Sequence, residues 1–140
     1  MKYFTIEELC KSETAEKLNI DNTPNEEIKK HLEILIECLL DPIREAWGSP
    51  IIVNSGYRCP ALNKAVGGSD TSVHKLGWSA DIRPKNDKMK EFKEFIVEFI
   101  KDKFWDQLIL EKSGEIEWIH ISLYSNTGKQ RKQIFSLEVK

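Results

Sequence analysis

The sequence predicts an α+β fold: a mostly antiparallel sheet flanked by helices. Three observations carry that expectation. Apolar residues recur with a 3.6-residue period near the start and again after residue 88. Short β-branched or alternating runs lie between and after these stretches. Their order along the chain is helices, strand, loop, strand, helix, then further strands.

Taken in order, Thr5-Ile6-Glu7-Glu8 reads as a capping box that starts a helix running to about Leu18. Thr23-Pro24-Asn25-Glu26 reads as a second, with Pro24 at the first helical position. The helix behind it should bury Ile28, Leu32, Leu35, Ile36, Leu39 and Ile43, and Gly48-Ser49-Pro50 should end it. Ile51-Ile52-Val53 is a strand that leaves through the turn Asn54-Ser55-Gly56. Pro60 to Val66 forms a short helix before the small, polar loop Gly67 to Thr71. Trp78 to Ile82 is a strand stopped by Arg83-Pro84. Met89, Phe92, Phe95, Ile96, Phe99 and Ile100 mark an amphipathic helix. Phe104 to Leu110 is strand-like. Trp118 to Tyr124 and Gln133 to Val139 are strands expected to form a hairpin through Ser125-Asn126-Thr127-Gly128.

The 140 residues suit a single domain, with no repeat or linker. A formal net charge of −2 argues against a nucleic-acid binder and against a polybasic membrane-surface protein. No apolar run reaches the ~20 residues of a membrane span. Acidic residues stand where a signal peptide would be apolar, so synthesis and retention in the cytoplasm are expected. Cys10, Cys38 and Cys59 are odd in number and widely spaced, which points to free thiols, buried at Cys10 and Cys38, rather than a disulfide framework. A monomer is expected.

The chemistry-bearing residues fall in three segments. In Ser72-Val73-His74-Lys75-Leu76-Gly77-Trp78-Ser79-Ala80-Asp81, a loop histidine precedes a strand aspartate with a flexible glycine between them. Asp81 lies in a segment that otherwise reads as buried, where an unpaired carboxylate is costly, so a metal or a cation partner is expected. In Glu115-Ile116-Glu117-Trp118-Ile119-His120-Ile121-Ser122, the isoleucines mark a core face and His120 points from the other. Two imidazoles and a carboxylate make a usual catalytic zinc set, with a further position open to water. A nearby carboxylate can take that water's proton. Glu117 is the choice, although in a regular strand it shares the parity of Ile119, and Glu115 has the same difficulty. In Asn54-Ser55-Gly56-Tyr57-Arg58-Cys59-Pro60, Arg58 follows a strand end and could bind a substrate carboxylate or steady an oxyanion. Each feature alone has a plainer reading as a packing or solvated residue. Trp78 and Trp118 read equally as core aromatics or pocket walls, Cys59 reads as structural rather than a ligand, and His31 sits among charges as a surface residue.

Together these segments resemble the zinc D-alanyl-D-alanine carboxypeptidase family. Its relatives include VanX- and VanY-type enzymes, phage L-alanyl-D-glutamate endolysins and the hedgehog signalling domain. The family's Ser-x-His-x-x-Gly-x-Ala-x-Asp stands here as Ser72 to Asp81, with Ser79 in place of alanine. Its Glu-x-x-His stands as Glu117 to His120, and its Ser-Gly-Tyr-Arg as Ser55 to Arg58. The resemblance implies a hedgehog/D,D-peptidase fold and zinc on His74, Asp81 and His120. It implies Glu117 as base and Arg58 as the residue that binds substrate and stabilises the intermediate. Ser72, Tyr57, Trp78 and Trp118 are the further substrate-side candidates. The implied reaction is hydrolysis of an amide bond in a peptidoglycan stem peptide, at a wall reached by phage-type release. The alternative is a non-catalytic peptidoglycan-binding or structural domain on the same fold.

Overall fold

Thr5 caps the first helix as its sequence suggests, its hydroxyl accepting the Glu8 N–H at 3.1 Å in a computed structural model that describes residues 1–139. That helix, α1 (Ile6–Cys10), is shorter than expected. Ser12 starts a new one, α2 (Glu13–Lys17), by accepting the Ala15 N–H at 3.1 Å, so a side-chain cap inside the run breaks it in two. The next helix, α3 (Glu26–Leu35), is capped by Asn25 rather than Thr23. Asn25 Oδ1 accepts the Ile28 N–H at 2.9 Å, while the Thr23 hydroxyl donates to Asp21 at 2.6 Å, and Pro24 precedes the cap.

The buried stripe continues without a break through Leu32, Leu35, Ile36, Leu39, Leu40 and Ile43. The backbone beneath it does not. Ile36–Leu40 winds as a wider π turn before α4 (Asp41–Trp47). Pro42 accounts for this, because it has no N–H to give and its ring crowds the carbonyl four residues back. The Asp41 carboxylate accepts the N–H groups of Tyr3 and Phe4 at 3.0 and 3.2 Å, which ties the N-terminal segment to this junction. Gly48 ends α4 at φ 81°, as expected.

Five strands form one mixed sheet: β1 (Ile51–Ser55), β2 (Ser79–Pro84), β3 (Gln107–Ser113), β4 (Ile116–Ser122) and β5 (Gln133–Glu138). Their order is β1-β2-β4-β3-β5. The first three pairings are antiparallel, but β5 runs parallel to β3. The expected β4–β5 hairpin is therefore corrected. β4 is already paired on both sides, by β2 and by β3, so β5 must take the free edge of β3. Arg131 secures the crossing, donating to both carboxylate oxygens of the buried Asp106 at 2.8 Å.

The sheet has two unlike faces. Ala80, Ile82, Leu108, Ile119 and Ile121 pack into the core with the helices, including Phe92 and Ile96 of α6 (Met89–Phe99). Asp81, Ile109, Glu111, Trp118 and His120 line a cleft on the other face. The short helix α5 (Pro60–Ala65) and a single 3₁₀ turn (Val73–Leu76) carry the connecting chain to that cleft. All three thiols are free, but Cys38 is exposed and Cys10 only half-buried, against the expectation of burial. Among the described residues, no helix is long and apolar enough to cross a membrane.

Candidate metal centre

His74 is placed by its own short turn. Ser72 Oγ accepts the His74 N–H at 3.3 Å and opens the turn, and Gly77 closes it at φ 76°. His31 braces the turn from α3 by donating Nδ1–H to the Leu76 carbonyl at 2.7 Å and stacking on Trp78 with ring centres 4.0 Å apart. The expectation of a surface His31 is thus corrected. Gly56 sits so close to α1 that a Cβ there would lie 2.3 Å from the Leu9 carbonyl oxygen. Its own carbonyl accepts from His74 Nδ1 at 2.7 Å.

Asp81 and His120 meet because they are direct partners in the β2–β4 register. Asp81 Oδ1 lies 3.2 Å from His74 Nε2 and 3.0 Å from His120 Nδ1. One ligand atom from each of the three residues falls within 4.8 Å of the others, and all three residues are buried.

The donor set fits a cation. A carbonyl cannot donate, so Nδ1 of His74 carries a proton, and Nε2 is the nitrogen turned toward the Asp81 carboxylate. Burial pushes His74 below its ordinary pKa despite the neighbouring Asp81, which favours the neutral form. Burial alone would raise Asp81, but the two imidazoles hold it well below the usual carboxylate range. Two imidazole nitrogens and one anionic oxygen converging in a buried space is what a tightly held Zn²⁺ requires, and the Gly56 carbonyl fixes the tautomer of one imidazole from behind.

Arg58 stands beside this group, with Nη2 3.5 Å from Asp81 Oδ2. It donates from Nε to Ser55 Oγ at 3.0 Å and from Nη1 to Asn63 Oδ1 at 3.3 Å. Asn63 is buried and donates in turn to the Ser69 carbonyl at 2.9 Å. Sequence reasoning missed Asn63. At Gly68 a Cβ would stand 2.1 Å from the Asn63 amide oxygen, so only glycine lets the loop close on it.

The cleft, of about 620 Å³, is lined by Arg58, Ser72, His74, Asp81, Trp118 and His120 among others. Three expected residues are not in it. Tyr57 is buried in the core. Trp78 packs between His31 and Tyr124. Glu117 is the third. β4 runs without a bulge from Ile116, so Glu117 keeps the parity of Ile119 and faces α6, where its carboxylate meets Lys93 Nζ at 2.6 Å. The expectation that Glu117 reaches the metal is corrected by that geometry. Two carboxylates that sequence reasoning passed over do line the cleft, Glu111 and Asp106. Glu111 ends the apolar run Leu108-Ile109-Leu110 of β3, and accepts the Trp118 Nε1–H at 3.2 Å. A larger groove, about 800 Å³ between α1, α2 and the start of α3, holds none of these residues.

A model of the peptidase M15 family matches residues 2–122 of the chain, a span that includes all three residues of the converging group. No curated protein matches it.

Proposed function

Because the chain belongs to the peptidase M15 family, we propose that it is a zinc metallopeptidase that hydrolyses amide bonds in peptidoglycan stem peptides. The observation that carries the proposal is the buried convergence of His74, Asp81 and His120, with His74 Nε2 and His120 Nδ1 lying 3.2 and 3.0 Å from one Asp81 carboxylate oxygen. In this reading the fold is of the hedgehog and D,D-peptidase type, and the bond cut is that of a D,D-carboxypeptidase or an L-alanyl-D-glutamate endopeptidase. A protein acting on the wall in this way reaches it by release from the cell, as a phage lysin does.

His74, Asp81 and His120 would hold the ion. Zinc bound there supplies a Lewis acid for the scissile carbonyl and a water whose pKa is brought down to about 7. Arg58 stands next to the centre, braced by Ser55 and Asn63. A guanidinium so fixed binds a substrate carboxylate or balances charge growing on the carbonyl oxygen. Ser72 and Trp118 line the same cleft and contact the peptide in this reading.

One observation favours a second reading. Glu117, at the family's base position, is tied to Lys93 on the far face, as suits a module that binds wall peptides without cutting them. Digestion separates the two. Zinc-loaded protein is incubated with purified peptidoglycan and with defined stem peptides, and the products are weighed by mass spectrometry. Fragments with a new amine and a new carboxylate, lost on chelation, are expected. Peptide binding without cleavage at full zinc occupancy establishes the second reading instead.

A further inference from the structure

We propose that Glu111, and not Glu117, is the general base of this centre; the assignment rests on the zinc-peptidase reading above.

Position in the cleft singles out Glu111. Among the described residues, three acidic side chains line the cleft: Asp81, Asp106 and Glu111. Asp81 belongs to the metal group. Asp106 is engaged on both oxygens by Arg131, with Oδ1 also accepting the Arg131 backbone N–H at 2.9 Å. Glu111 is left. Its Oε2 accepts from Trp118 Nε1, and Oε1 has no partner among the described residues. The β3–β4 register puts Ile109 opposite His120 and Glu111 opposite Trp118, so Glu111 is the diagonal neighbour of a metal-group histidine on the same sheet face. Diagonal neighbours lie roughly 7–8 Å apart, a gap that a glutamate side chain and one water molecule span.

The environment suits the role. Burial pushes the Glu111 carboxyl above its ordinary value, and the charge of Asp81 adds to the push. A carboxylate raised in this way is a stronger base near neutral pH. The indole N–H of Trp118 fixes one oxygen and leaves the other to act.

The proton bookkeeping closes on this residue. Oε1 of Glu111 takes one proton from the water whose oxygen bonds to the scissile carbonyl carbon. The same proton passes to the leaving amine nitrogen as the C–N bond breaks. Water has then given OH to the new carboxyl group and H to the amine, and Glu111 is ionised again.

The test compares zinc-loaded parent, Glu111→Gln, Glu111→Asp and Glu117→Gln on a defined stem peptide. It reads zinc affinity by chelator competition, kcat and KM. Glutamine keeps the size of Glu111 and can still accept from Trp118. Glu111→Gln is expected to hold zinc as the parent does and keep KM within a few-fold, while kcat falls by about 100-fold or more. Glu111→Asp keeps a base with shorter reach and falls by less. Glu117→Gln stays within a few-fold of the parent throughout. A cleaving parent matched by an equally fast Glu111→Gln overturns the assignment alone, as does loss of zinc from that variant, which would make Glu111 a ligand. A zinc-bound parent that releases nothing overturns the peptidase reading and this assignment with it.

Discussion

Arg58 shows how much of the centre is held by residues that carry no chemistry themselves. Its guanidinium meets Ser55, Asn63 and Asp81, and Asn63 spends its own amide on the Ser69 carbonyl. Replacing Asn63 by alanine strands one Arg58 N–H and one loop carbonyl. A buried polar group left unpaired costs about 1–3 kcal/mol. The expected outcome is a loss of that order in urea unfolding of the metal-free protein, together with a fall in kcat/KM at saturating zinc. Unchanged stability and kinetics would show that Arg58 is held without it. His74, Asp81, His120 and Arg58 were legible in the sequence because their types and spacing form a recognisable set. Asn63 was not, since nothing in a short helix signals that its amide turns toward a guanidinium. Glu111 was not legible either. Parity along β4 excludes Glu117 from the His120 face, but which carboxylate replaces it depends on the register of β3 against β4.

At the scale of elements, the apolar period of α3 was readable through to Ile43, because burial is what that period records. The π turn at Ile36–Leu40 was not, although Pro42 marks its cause. β5 shows a similar limit. Its residues read as a strand, but its partner was decided by β4 having no free edge. The strand matters to the centre, because Leu137, near its end, and Val139, just after it, line the cleft. The Asp106–Arg131 pair anchors it. Burial opposes the Asp106 charge, but hydrogen bonds from the Arg131 side chain and backbone outweigh it and hold the carboxyl below its ordinary value. A folded-state pKa below the unfolded one means the unfolded chain binds the proton first as pH falls. Stability from this pair is therefore full above the ordinary aspartate value of about 3.9 and declines as pH drops through the folded value. Urea midpoints of the metal-free protein measured from pH 7 to pH 2.5 should fall at the acid end. Asp106→Asn should start lower and fall less steeply. Parallel curves for the two proteins would show that Asp106 does not contribute to the acid-end loss.

At the scale of the molecule, the sheet divides the labour. One face packs Ile82, Ile119 and Ile121 against the helices, and Lys93 holds Glu117 there. The other gathers His74 from a loop, Asp81 and His120 from paired strands, and Glu111 from the next strand out. The α+β class followed from local periods, whereas the mixed pairing followed from which edges were already taken. The claim that joins these parts is that the three buried side chains bind one zinc ion. Calorimetric titration of zinc into metal-free protein, run in parallel on His120→Ala, tests it most directly. One zinc per chain is expected, bound more weakly by orders of magnitude in His120→Ala. A parent that takes up no zinc, or takes it up equally well without His120, would contradict it.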